Sequence, residues 1–121
     1  MNAKALIFIF VLFCNNLFAN DLIARVTYYW GCSNTSTGNK PVSGKTIAVD
    51  PKIIPYGSKV FIPKMNKTFL ANDTGSAVKS RLASKKFKKN NIVIDIYCAS
   101  KHEAQNYINK YPMFMPIQVI K

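Results

Sequence analysis

Acidic side chains are scarce in this chain. Its 121 residues hold 5 Asp and Glu against 17 Lys and Arg, for a formal net charge of +12 and a pI near 9.8. Histidine is scarcer still: His102 is the only one, and it falls in the first turn of a predicted helix, where exposure is the simplest account. No metal or other cofactor is expected, although three carboxylates alone present oxygen donors to a hard cation. No apolar run reaches the roughly 20 residues that a membrane-spanning helix needs. The longest, Ala5–Phe13, follows Lys4 and stops at Cys14, Asn15 and Asn16. Ala19 then offers a small residue before a cut, with Leu17 imperfect for such a site. Residues 1–19 therefore read as a signal peptide, a buried N-terminal helix being the alternative. Phe13 argues against Cys14 as a lipoprotein cysteine. No stable membrane span is expected.

Without that segment about 100 residues remain, one compact core with a modest stability margin, so residues 20–121 read as one domain. Cys32 and Cys98 are then the cysteines left, and in an exported chain a pair suggests one disulfide; two unpaired thiols are the alternative. The basic balance favours anionic partners, such as wall polymers, anionic lipid or nucleic acid. Export disfavours nucleic acid. A monomer is expected.

There is no internal repeat and no low-complexity linker. From Leu22 to Trp30 the chain alternates, placing Leu22, Ala24, Val26, Tyr28 and Trp30 on one apolar strand face. Tyr28 and Trp30 are read as core on that ground. Gly31–Gly44 is a polar loop. Four short β-type runs follow, Thr46–Val49, Ser58–Ile62, Lys67–Ala71 and Asn91–Tyr97, with Pro51, Pro55 and Gly57 as turn residues in the first gap. Ser100 and Glu103 fit a capping box. Behind it Ala104, Tyr107, Ile108 and Tyr111 form one apolar helical face, and Pro112 and Pro116 bracket its end. Ile117–Ile120 is a last strand. Six short strands with one or two short helices predict a mainly β, closed barrel. The basic run Lys79–Lys89 is a solvated helix or loop, or else a groove wall for an acidic glycan.

Of the acidic residues, Asp21 lies at the expected mature N-terminus and Glu103 has a capping role. Asp50 and Asp73 each end an apolar strand. Asp95 lies inside Ile92-Val93-Ile94-Asp95-Ile96-Tyr97, where an ionised carboxylate is costly unless paired or facing a cleft. Alternation sets Asp95 with Val93 and Tyr97, opposite the isoleucines. Desolvation there raises a carboxyl pKa and suits a general acid near neutral pH. A turn-capping or salt-bridged structural role is the alternative for each Asp.

Five segments in order, Ile47-Ala48-Val49-Asp50-Pro51, Ile54-Pro55-Tyr56-Gly57-Ser58-Lys59-Val60, Ala71-Asn72-Asp73-Thr74-Gly75, Val78-Lys79 and Ile94-Asp95-Ile96-Tyr97, resemble the 3D domain, named for three aspartates. The resemblance runs from about Thr27 to Val119. It implies a six-stranded double-psi β-barrel like the catalytic domain of membrane-bound lytic transglycosylase A and the stationary-phase muralytic proteins. It is also similar, more weakly, to the rare-lipoprotein-A, expansin and barwin-like barrels. Catalytic members of the family cleave the MurNAc–GlcNAc bond of peptidoglycan and leave a 1,6-anhydro sugar.

By that resemblance Asp95 is the acid/base residue, and Asp73 and Asp50 are its companions. Lys79 is placed to hold Asp73 ionised or to bind substrate carboxylates. Tyr29, Tyr97 and Thr74 are further substrate-binding candidates. A Cys32–Cys98 bridge would pin the Asp95 strand to the first strand. Two departures stand out. The stretch between Asp73 and Asp95 is longer than is usual, the extra Ser80–Asn91 holding most of the basic run, and Ser80 stands where Gly is common. The partner implied is the peptidoglycan glycan strand, with other anionic wall polymers beside it. A non-catalytic expansin-like binder is the alternative, and a basic antimicrobial or toxin-like protein a third. If the reaction is carbohydrate cleavage by carboxylates, it is expected to survive EDTA. Loss of product in EDTA, with rescue by a divalent ion, would show the opposite.

Overall fold

A computed structural model describes residues 21–120; the expected signal segment, with Cys14, lies outside them. Six strands, β1 (Asp21–Tyr29), β2 (Thr46–Ala48), β3 (Lys59–Ile62), β4 (Lys67–Asp73), β5 (Val93–Tyr97) and β6 (Phe114–Ile120), close into one barrel in the order β1-β5-β2-β4-β3-β6. The fold is the mainly β barrel expected. The β1–β5 and β2–β4 pairs are parallel and the other four antiparallel. A parallel pair cannot be joined by a hairpin, so β5 arrives late in the chain and slots between β1 and β2.

Period-2 alternation explains the interior. Ala24, Val26, Ile47, Val60, Ile62, Phe69, Ala71, Ile94, Ile96, Met115 and Ile117 point inward and are fully or almost fully buried. At the entry to β3, Gly57 has φ +88° and Ser58 N–H donates to the Pro55 carbonyl at 3.1 Å. That is the positive-φ third position of a type II turn.

Helix α3 is Lys101–Lys110. The Ser100 hydroxyl accepts the Glu103 amide at 3.2 Å, and Glu103 in turn accepts the Ala99 amide and the Ser43 hydroxyl. Ala104, Tyr107 and Tyr111 pack inward as expected, whereas Ile108 is exposed. Trp30 is also exposed rather than core, because β1 ends at Tyr29 and the wall does not extend over it.

Strand β6 begins earlier than the prolines suggest. Pro116 lies inside it, paired with Ile23. The β3–β6 ladder stops at Phe61↔Gln118, so the missing proline N–H costs no ladder bond. The basic run folds into two single-turn helices, α1 (Ser76–Lys79) and α2 (Leu82–Lys85). Buried Ser84 ties them down by donating to the Asn91 carbonyl at 2.7 Å. Among the described residues no helix is long and apolar enough to cross a membrane.

Ile96 is fully buried and stands in register between Tyr28 of β1 and Ile47 of β2. Truncation to Ala there leaves a cavity at the seam where β5 is inserted. Ile96→Ala is expected to lower stability by about 2–5 kcal/mol, read as a shift in the urea midpoint with an unchanged slope. A loss under 1 kcal/mol would show that the seam collapses around the void.

Candidate functional site

One transverse row of residues builds the site. Thr27 of β1 is the register partner of Asp95 on β5, Asp95 of Ala48 on β2, and Ala48 of Asp73 on β4. Both aspartates thus flank the same alanine, with their backbones about two strand spacings, or about 10 Å, apart. On β4 strict alternation would send Asp73 inward with Phe69 and Ala71. It does not, because the β2–β4 register jumps from Ile47↔Ala71 to Ala48↔Asp73. Asn72 is the extra residue of a β-bulge, a device that re-aims a side chain. It brings Asp73 to the outer face that Asp95 occupies.

The two carboxylates meet opposite surroundings. Asp73 is buried. Its Oδ2 accepts the Tyr29 hydroxyl at 2.7 Å, and its Oδ1 accepts the Ser36 amide at 2.9 Å, the Ser36 hydroxyl at 2.7 Å and the Thr74 amide at 2.9 Å. Burial alone would raise its pKa; these donors outweigh burial and hold it below the ordinary value. Asp95 has one side-chain donor, the Thr27 hydroxyl at 2.9 Å. Burial pushes its pKa up to about 6, against the Thr27 bond and aided by the negative charge of Asp73. One acid is held anionic and its neighbour is poised to carry a proton.

Asp95 opens on a cavity of about 200 Å³. Thr27 and Val93 line it from the barrel, Val78 from α1, and Leu82, Ala83 and Lys86 from α2 and the residue after it. The basic insertion is therefore a wall of this cavity, and Lys86 is its cation there. Tyr97 shares the outward face with Asp95, and its ring meets Tyr29 edge-on with centroids 5.4 Å apart.

Asp50 accepts the Lys52 amide at 3.0 Å on Oδ1, and its carbonyl accepts the Ile53 and Ile54 amides at 2.9 Å. It caps a turn and is not among the groups that shift Asp95. Lys79 is exposed at the end of α1, and the groups that lower Asp73 are all uncharged, so Asp73 owes its charge to neutral donors. Thr74 gives its hydroxyl to the Val49 carbonyl at 2.7 Å, which leaves it a strut. The Tyr29 hydroxyl is likewise committed to Asp73, and burial followed by that bond drives its phenol far above the usual range.

Cys32 and Cys98 are free thiols, which corrects the expected bridge. Cys98 is buried with Sγ 3.7 Å from the Ile96 carbonyl, while Cys32 turns its thiol to the Asn34 carbonyl at 2.9 Å. Burial pushes the Cys98 thiol up to about 12. The strand end is pinned instead by a backbone bond, Cys98 N–H to Tyr29 carbonyl at 2.8 Å. Thr27 and Ser36 were not foreseen. Alternation with Tyr29 marks Thr27 as outward-facing, but nothing local marks Ser36 in its polar loop. Among the described residues no three His, Cys, Asp or Glu side chains are grouped to hold a metal.

A family model described as the 3D domain matches residues 45–117. The cell wall-binding protein YocH of Bacillus subtilis (strain 168) is 38% identical over 76 residues, covering 60% of this chain and 22% of that protein. The putative cell wall shaping protein YabE of the same organism is 39% identical over 85 residues, covering 66% of this chain and 18% of that protein. The match thus spans about a fifth of these relatives' length. Among solved structures, the lytic transglycosylase LtgG of Burkholderia pseudomallei superposes with a TM-score of 0.47 at 23% identity, over 74% of this chain and 25% of that one.

The opposed shifts fix the pH dependence of stability. Asp95 has a folded pKa above its unfolded value of about 3.9, so its contribution is fully present below about pH 4 and is lost as pH rises through about 6. Asp73 has a lowered folded pKa, so its contribution is present above the unfolded value and is lost as pH falls through the folded one. Asp95→Asn is therefore expected to stabilise the protein by up to about 3 kcal/mol at pH 7.5 and hardly at all at pH 4. Tyr29→Phe is expected to cost about 1.5–3 kcal/mol at pH 7.5 and nearly as much at pH 4, the cost fading only at lower pH. Urea midpoints at the two pH values read both, and an Asp95→Asn effect that is equal at both would show that Asp95 is not perturbed.

Proposed function

This chain belongs to the 3D domain family, and from that premise we propose that it is a peptidoglycan lytic transglycosylase acting at the cell wall, exported by the segment 1–19. The observation that carries the reading is the contrast between Asp95, raised to about 6, and Asp73, held anionic beside it. Protonated Asp95 gives its proton to the oxygen between MurNAc and GlcNAc as the C1–O bond breaks. The C6 hydroxyl of the same MurNAc then closes on C1, and the Asp95 carboxylate accepts its proton. This regenerates the acid at the end of the second step and leaves a 1,6-anhydro sugar. Because the nucleophile belongs to the substrate, one acid/base carboxylate suffices where hydrolytic glycosidases use two. Anionic Asp73 stabilises the positive charge that develops at C1 and adds to the burial that raises the Asp95 pKa. Tyr97 offers an aromatic face beside the acid, and Lys86 faces the anionic groups of the polymer.

Two observations favour a second reading, a barrel that binds the wall without cleaving it. The cavity at Asp95, about 200 Å³, is smaller than the roughly 300–1,000 Å³ of ordinary small-molecule sites. The B. subtilis relatives are also named for wall binding and shaping.

Mass spectrometry of purified peptidoglycan after incubation with the protein separates the readings. Anhydro-muropeptides are expected, new reducing ends would mean a hydrolase, and an intact polymer carrying bound protein would mean a binder. Asp95→Asn is expected to fold and to lose about 10²- to 10⁴-fold in rate. Wild-type turnover is expected to fall as pH rises above about 6, where Asp95 loses the proton it must donate. Near-native turnover by the Asn variant would remove Asp95 from the chemistry.

A further inference from the structure

Strand β1 keeps both neighbours only part of the way. Its pairing with β6 runs from Asp21↔Gln118 to Arg25↔Phe114 and closes with the Val26 amide on the Met113 carbonyl at 2.8 Å. Its pairing with β5 continues to Tyr29↔Tyr97. Backbone groups alternate along a strand. Arg25 N–H reaches Ile92 and the Tyr29 carbonyl receives Cys98, both on the β5 side. The amides and carbonyls of Val26, Tyr28 and Trp30 therefore face the β6 side. Arg25 Nη1 already donates to the Val26 carbonyl at 2.7 Å. Among the described residues no strand lies opposite Tyr28 and Trp30 on that side. Their free edge looks into a cavity of about 310 Å³.

The walls of that cavity have a chemistry of their own. Trp30, Ile108 and Met113 line it and are 46%, 52% and 46% exposed, an apolar cluster around one groove. Arg25 and Tyr28 line it too, and each keeps a buried donor without a partner, Nε and the hydroxyl. Thr27 and Tyr28 border both this cavity and the one at Asp95, so the two sites adjoin across β1.

We infer that this edge binds a short extended peptide carrying a carboxylate and small apolar side chains, namely the peptide stem of a muramyl residue held at Asp95. The inference rests on the peptidoglycan reading above. A free strand edge recognises peptide backbone by strand addition, which a bare sugar chain cannot supply. Arg25 offers the stem carboxylates a charge-assisted bond, and Trp30, Ile108 and Met113 suit methyl groups. The same edge also invites pairing with a second copy of the chain, an outcome the test resolves.

The probe is a synthetic muramyl tetrapeptide, titrated into ¹⁵N-labelled Asp95→Asn protein beside a peptide-free glycan of equal length. The backbone amides of Tyr28 and Trp30 are expected to shift with the tetrapeptide and not with the bare glycan. Arg25→Lys, or Trp30→Ala at an exposed position beyond the end of β1, is expected to weaken tetrapeptide binding on the order of tenfold. Equal affinity for both probes, unmoved Tyr28 and Trp30 amides, or shifts that follow protein concentration without ligand would each overturn the inference. Stem-dependent binding without anhydro products from the wild-type protein would sink the transglycosylase reading alone. Anhydro products with equal binding of both probes would sink the peptide groove alone.

Discussion

A single extra residue in β4 sets the terms of this structure. Had β4 kept its alternation past Ala71, a carboxylate would point into an apolar barrel at a cost no neighbour there offsets. The bulge at Asn72 instead turns Asp73 outward. There the loop after β1 folds over it, delivering Ser36 and placing the Thr37 hydroxyl on the Asn72 carbonyl at 2.9 Å. The backbone carbonyl of Asp73 in turn takes the Val49 amide at 2.9 Å, which anchors the segment after β2. Loop, turn and site are organised around one buried anion.

That anion also gives its neighbour a different character. The carboxylates stand on the strands either side of Ala48 and share a face, yet four hydrogen bonds go to Asp73 and one side-chain bond to Asp95. Burial raises Asp95, whose single side-chain donor cannot offset it, whereas the donors to Asp73 outweigh its burial. Ala48 matters by being small: a larger side chain there would fill the space between the two acids.

Much of this was legible in the sequence. Alternation located β1 and the outward face of Asp95, turn residues separated the short strands, and the Ser100–Glu103 box marked α3. The five ordered segments identified the family and pointed to three aspartates, of which Asp73 and Asp95 share a face. What escaped depended on contacts distant in sequence. Ser36 meets Asp73 only because a long loop closes over the barrel. Pro116 is tolerated only because the β3 ladder has already ended. Asp50 looks like the other two aspartates in sequence, but its oxygen is spent on its own turn. Trp30 continues an apolar alternation past the point where the barrel has a wall to receive it. The two cysteines gave a plausible bridge by count, but their side chains turn toward different backbone carbonyls.

The threading of β5 between β1 and β2 has a consequence for how the molecule comes into being. The barrel cannot close on nascent chain ending before Tyr97, because β1 and β2 have no direct pairing and only β5 joins them. Contacts this distant in sequence form slowly compared with local ones. Strand β6, which closes the cylinder between β3 and β1, follows the strand that bears Asp95, so the acid gains its surroundings only as these two strands pair. A chain still emerging has no desolvated acid, no cavity beside it and no charged neighbour in register. The topology leaves the Asp95 site incomplete until β5 has been made.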